Sequence, residues 1–230
     1  MAYSIVLFDA DNTLLDFTRA EHDALCECLS TRRISTDADT VALYSAINDS
    51  HWKRLERGET TRPRLRVERF TEFFSAVGYS GDPAAMADDY VEALSRQSHL
   101  IDGALELIRA LYGHCRLYIV TNGITSVQKS RFGGCALAPY FDRCFISEET
   151  GFAKPDKRFF DLVTSSVPNF IPEEAIVIGD SLSSDIQGGI NAGLDTCWYS
   201  PNGQNAPSHM NITYTVSRLE DIRDIILNHK

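Results

Sequence analysis

The chain alternates short, almost wholly apolar runs with longer amphipathic stretches. The runs at 4–11 (SIVLFDAD), 116–123 (RLYIVTNG), 143–149 (RCFISEE), 174–181 (EAIVIGDS) and 195–201 (DTCWYSP) are rich in β-formers. Strands apolar on both faces belong to parallel sheets covered by helices on each side. Helix-length segments lie among and after them at 104–113, 124–133, 156–166, 183–193 and 217–228. Strand and helix in alternation predict a doubly wound α/β sheet. One stretch departs from this rhythm. From about Thr18 to Ser98 the pattern is helical, with turn signals at Arg57-Gly58, Gly78-Tyr79 and Gly81-Asp82-Pro83. The expectation is a core domain of residues 1–17 and 99–230, interrupted by an all-helical domain of residues 18–98.

Polar residues gather at the carboxyl ends of the apolar runs, where open α/β sheets bind their ligands. Asp9, Asp11, Thr121, Asn122, Asp180 and Ser181 all stand there, so residues distant in sequence are expected to meet at one sheet edge. Asp9 and Asp11, in Asp-Ala-Asp-Asn-Thr, pair a candidate nucleophile with a candidate general acid/base. Two solvated turn aspartates would read the same way. The segment GDSLSSD carries Asp180 and Asp185 into a helix start, where free main-chain N–H groups and two acids can hold a hard cation directly or through water. Ser181 and Asp185 also have an ordinary reading as helix caps. Thr121 and Asn122 offer a hydroxyl and an amide suited to phosphate oxygens. Lys154 precedes Pro155, which is expected in the first turn of the next helix, and could balance several aspartates.

Charge narrows the partners. A formal net charge of -10 argues against a nucleic-acid polymer and for a small substrate. No segment reaches the roughly 18 apolar residues of a membrane span, and the first residues lack the pattern of a leader, so a cytoplasmic protein is expected. The six cysteines lack metal-site spacing and read as small apolar residues.

Asp9, Thr121, Lys154 and Asp180, in that order and spacing, resemble the four motifs of the haloacid dehalogenase-like (HAD) hydrolase superfamily. The longer stretches FDADNTLLDF, TNGITSVQKSRF, YFDRCFISEETGFAKPDKRFF and GDSLSSDIQGGINAGLDTCWYSP are similar to its pyrimidine 5′-nucleotidase branch, which hydrolyses nucleoside monophosphates, noncanonical ones included. The resemblance implies a three-layer Rossmann-like core with an inserted helical cap that closes over the site. It implies a phosphatase with Mg2+ as cofactor and a small phosphomonoester as substrate. Asp9 would be the nucleophile and Asp11 the general acid/base. Thr121, Asn122 and Lys154 would bind substrate. Asp9, the main-chain carbonyl of Asp11 and Asp180 would hold the metal, with Asp185 behind them. Whether the chain acts as monomer or homodimer is left open.

Other readings compete within and beyond this family. A phosphatase or mutase for sugar phosphates or phosphoglycolate would use the same core residues. A haloacid dehalogenase needs neither Asp11 nor the Asp180–Asp185 pair. A phosphonate hydrolase needs a cap lysine, for which Lys53 is the lone candidate. A signalling receiver domain needs no cap, and a silent binding protein would be expected to have lost one of the key residues. Phe17, Trp52, Phe70 and Phe74 are candidates for contact with a base, although Phe70, Phe73 and Phe74 also make a plain apolar helix face. Arg62, Arg64 and Arg66 could belong to a loop over the site or to a solvated face.

Overall fold

The computed structural model describes residues 3–228. In chain order its main elements are β1 (Ile5–Phe8), α1 (Phe17–Thr31), α2 (Ala38–Glu56), α3 (Arg62–Val77), α4 (Pro83–Ser95), α5 (Ala104–Leu111), β2 (Arg116–Thr121), α6 (Thr125–Gly133), β3 (Arg143–Ile146), α7 (Ser147–Thr150), α8 (Lys157–Ser166), β4 (Ala175–Gly179), α9 (Gln187–Ala192), β5 (Asp195–Tyr199), β6 (Tyr214–Val216) and α10 (Leu219–Asn228). They form two compact units: the residues up to Phe17 with those from Ser98 onward, and Thr18–Gln97. Among the described residues no helix is long and apolar enough to cross a membrane.

The first unit is built on a six-stranded sheet of order β3-β2-β1-β4-β5-β6, parallel throughout. Successive side chains of a strand point to opposite faces, so an all-apolar strand feeds two cores at once. β1 shows this directly. Val6 and Phe8 pack with residues of α5 and α10, whereas Ile5 and Leu7 pack with Phe159, Phe160 and Val163 of α8. The result is the three-layer α/β architecture that the alternation predicts. Its central strand, β1, lies where the strand order reverses, between β2 and β4, the crevice in which doubly wound sheets bind ligands.

Three details differ from the sequence reading. β6 is a sixth strand of three residues that pairs with β5, too short for its pattern to rise above a loop. Pro155 is not in a helix's first turn: α8 begins at Lys157 on the Asp156 cap, and the Lys154-Pro155 peptide bond is cis. Of the two readings of Arg62, Arg64 and Arg66 the loop fails and the charged helix face is the nearer: they open α3, Arg64 exposed and the other two half-buried, with Pro63 in its first turn, where a missing N–H costs nothing.

The second unit packs α3 between α2 and α4. Phe70, Phe73 and Phe74 are buried, and Tyr44 stacks on Phe70 with centroids 5.1 Å apart, so these rings form the interior of the helical unit. A polar knot lies beside them. Glu21 accepts from Ser45 at 2.6 Å and from Asn48 at 2.7 Å, and Arg69 donates to the Asn48 carbonyl at 2.7 Å. Burial pushes the Glu21 carboxyl up, against the opposing pull of the Ser45 bond and the Arg69 charge.

Candidate active site

The carboxyl ends of β1, β2 and β4, with the segment before α8, bring the seven predicted site residues, Asp9, Asp11, Thr121, Asn122, Lys154, Asp180 and Asp185, to one edge of the sheet. β1 ends in a turn whose residue Asn12 takes a left-handed conformation (φ 58°), which asparagine tolerates better than most residues. Asp9 stays in the sheet's register through its N–H, which donates to the Ile178 carbonyl at 2.8 Å.

Lys154 is the hub. Its ammonium donates to Asp9 Oδ1 at 2.7 Å, to Asp185 Oδ1 at 2.6 Å and to the Val120 carbonyl at 2.7 Å. All three of its protons are therefore placed, and the side chain is buried. Burial alone would lower its pKa, but the Asp185 and Asp9 charges overcome that and hold it raised. Asn122 fixes the lysine from behind. Its amide donates to the Lys154 carbonyl at 2.9 Å and its oxygen accepts from the Lys154 N–H at 2.9 Å. In this arrangement the Asn122 side chain grips the chain that carries the lysine.

One lysine faces more negative charge than it can balance. Oxygens of Asp9, Asp180 and Asp185 lie within 4.8 Å of one another. Burial, then the Asp185 charge, raises Asp9 well above the usual carboxylate range despite Lys154. The same two causes push Asp180 up to about 7. Asp185 is the most closely held of the three: its second oxygen accepts from the Ser181 N–H at 3.0 Å, whereas the second oxygen of Asp9 accepts from the Thr13 hydroxyl at 3.3 Å. It reaches that position only because residue 179 is glycine: a Cβ there would lie 2.3 Å from an Asp185 oxygen. The Asp180 main chain is in turn held by the Trp198 indole of β5, which donates to its carbonyl at 2.8 Å.

Thr121 closes the site on the β2 side. Its oxygen accepts from the Gly123 N–H at 3.1 Å and from Gln128 Nε2 at 2.8 Å, which leaves the hydroxyl proton to be donated elsewhere. Asp11 lies apart from the Lys154 group: its carboxylate is bound by Gln128 and Arg131 of α6. Trp198, Gln128 and Arg131 were not foreseen from sequence. As polar side chains on a short helix, Gln128 and Arg131 look like surface residues, yet both are buried.

Residues 3–193 match the haloacid dehalogenase-like hydrolase family. The chain is 39% identical to the HAD-hydrolase YfnB of Bacillus subtilis over 97% of its own length and 95% of that protein. It is 37% identical to the pyrimidine 5′-nucleotidase PynA of Streptococcus pneumoniae (98% and 96% covered) and 31% identical to the pyrimidine 5′-nucleotidase YjjG of Escherichia coli (100% of both). A crystal structure of YfnB bound to magnesium superposes with a TM-score of 0.93, covering 99% of this chain and 100% of that one. With its parallel sheet, its Asp9–Lys154–Asp180 edge and a family match over most of its length, the chain belongs to the haloacid dehalogenase-like hydrolases.

Proposed function

We propose that the chain is a magnesium-dependent phosphohydrolase of small phosphomonoesters, pyrimidine nucleoside 5′-monophosphates foremost, acting through a phosphorylated Asp9. The observation that carries this reading is the buried Lys154 ammonium bridging Asp9 and Asp185, with Asp180 alongside and a surplus of negative charge around it. The donor set is oxygen throughout, carboxylate and main-chain carbonyl, the chemistry of a hard divalent cation, so the residues fit magnesium. Asp9, Asp180 and the main-chain carbonyl of Asp11 would hold it, and Asp185, committed to Lys154 and Ser181, would buttress them. When bound, the ion supplies the positive charge that lets a carboxylate approach an anionic phosphate.

The chain's own residues supply the rest. An Asp9 carboxylate oxygen attacks phosphorus, the bond from phosphorus to the leaving oxygen breaks, and that oxygen takes a proton from Asp11. Thr121 donates its free hydroxyl proton to a phosphoryl oxygen. Lys154 neutralises charge where the phosphoryl group arrives, and Asn122 contributes by fixing the lysine. Water then attacks the phosphorus of the aspartyl-phosphate and gives its proton to Asp11. The bond between phosphorus and Asp9 breaks, releasing phosphate.

The pyrimidine substrate is supported by the names of PynA and YjjG, which this chain resembles over nearly its whole length. A panel of nucleoside monophosphates, sugar phosphates and phosphoglycolate, assayed with magnesium, tests both levels of the reading. Phosphate release is expected to be greatest from pyrimidine nucleotides and to vanish in Asp9→Asn. A strong preference for a sugar phosphate or phosphoglycolate would replace the substrate and keep the chemistry. Silence across the whole panel would sink the phosphohydrolase reading.

A further inference from the structure

Asp11 is held in an unusual way for a residue at a strand-to-helix turn. Gln128 Nε2 donates to its Oδ2 at 2.8 Å, and Arg131 Nη1 donates to its Oδ1, so each carboxylate oxygen has its own donor from α6. Gln128 and Arg131 are three residues apart, which puts them on one helix face. The Asp11 side chain keeps 25% of its exposure while that of Arg131 keeps 0%, so the carboxylate is gripped from the interior and open on its outer side.

Gln128 does more than bind Asp11. Its Nε2 also donates to Thr121 Oγ1 at 2.8 Å, so the two protons of one amide nitrogen join the acid/base candidate to the candidate phosphate-binding hydroxyl. The orientation of the amide is dictated by chemistry: its oxygen accepts from Arg131 Nη1 at 3.3 Å, which only the oxygen end can do. Arg131 is steadied in turn by the Phe17 ring, 5.7 Å from its guanidinium carbon. Gly123 makes room for all of this, since a Cβ there would lie 2.5 Å from Gln128 Nε2.

A buried guanidinium is costly to desolvate and is tolerated when its hydrogen bonds return that cost. Here they are spent on a carboxylate that faces outward at the reactive edge. Resting on the reading of Asp11 as acid/base, we propose that Gln128 and Arg131 are positioning residues of the reaction. They aim the Asp11 carboxylate at the leaving oxygen and set the Thr121 hydroxyl in the same frame. Proton transfer and phosphoryl binding are thereby registered to each other through one glutamine.

The test is a comparison of leaving groups in the magnesium-loaded enzyme. Arg131→Met, Gln128→Met and the conservative Arg131→Lys are assayed on the best alkyl phosphomonoester of the panel and, by rapid mixing, on p-nitrophenyl phosphate. A nitrophenolate leaves without a proton, so its first-turnover burst does not need Asp11. The methionine variants are expected to lose about 10–100-fold in kcat on the alkyl ester. For Arg131→Met, KM and the p-nitrophenolate burst rate should stay within about threefold of wild type, whereas Gln128→Met, which also releases Thr121, should lose some burst rate but several-fold less than it loses on the alkyl ester. Arg131→Lys should recover most of the loss. Equal losses on both substrates, or unchanged kcat on the alkyl ester, would overturn the proposal. Should Arg131→Met fail to fold, Gln128→Met decides: a larger loss on the alkyl ester than in the burst supports the proposal, and equal losses overturn it. Asp11→Asn separates this proposal from the reading beneath it. If that variant turns over alkyl esters normally, the acid/base role of Asp11 fails and the positioning role with it. If it is inactive on them while the Gln128 and Arg131 variants are normal, the positioning role alone fails.

Discussion

Lys154 and Asp180 show how charge is managed one residue at a time. Lys154 is a buried cation with three hydrogen bonds, two of them to carboxylates that are themselves buried. Removing one member of such a group leaves the others unpaired, which typically costs about 3–5 kcal/mol. Lys154→Met is therefore expected to lower stability by that order near pH 8, read by urea unfolding, and to abolish phosphate release. Asp180 gives the pH dependence. Its carboxyl is raised from 3.8 to about 7 in the absence of a cation, so its contribution to stability is fully present below about pH 3.8 and is lost as pH rises through about 7. Asp9, raised by the same causes, acts in the same direction. A cation must displace these protons in order to bind. Magnesium should therefore raise the melting temperature more at pH 8.5 than at pH 5.5. An equal or larger rise at pH 5.5 would show that the ion does not bind at these carboxylates.

At the scale of elements, the site depends on how closely the strand ends approach their following helices. Gly179 ends β4 directly against the Asp185 carboxylate, and an added Cβ would overlap that carboxylate at 2.3 to 2.5 Å. Gly179→Ala should push Asp185 off Lys154, with a stability loss of about 1–3 kcal/mol from overpacking. Activity should fall much further than stability, and a variant with wild-type kcat would show that Asp185 has room to move. The same elements explain what was legible in the sequence. Asp9, Thr121 and Asp180 stand at the ends of apolar strands whose period is unmistakable, so topology alone brings them together. Arg131 could not be seen in this way. Its partner Asp11 is 120 residues away, and an arginine on a short helix looks solvated until the helix is docked. Asn122 was legible as a polar strand end, but its grip on Lys154 depends on a loop path that no local pattern encodes. Trp198 read only as part of an apolar strand, and its indole N–H acquires meaning once β5 lies beside β4.

At the scale of the whole molecule, the helical unit is inserted at a place where the core's own chain is already joined. The Asp16 N–H donates to the His99 carbonyl at 3.0 Å, and the Ile101 N–H donates to the Leu14 carbonyl at 3.0 Å. Leu15 and Leu100 pair as an antiparallel bridge between these bonds. The two cut ends of the core thus lie side by side, the condition under which domain insertions are tolerated. The core also holds its own two apolar clusters, one on each face of the sheet. At roughly 150 residues it is large enough to sustain them alone. Replacing Thr18–Gln97 with a short glycine-serine linker is therefore expected to give a core that unfolds cooperatively. Asp9, Lys154, Asp180 and Asp185 all belong to that core, so its melting temperature should still rise with magnesium and the rise should disappear in Asp180→Ala. A linked core that melts without cooperativity would mean that the helical unit is part of one folding unit with the sheet. A cooperative core that ignores magnesium would mean that the cation site needs residues from the inserted helices.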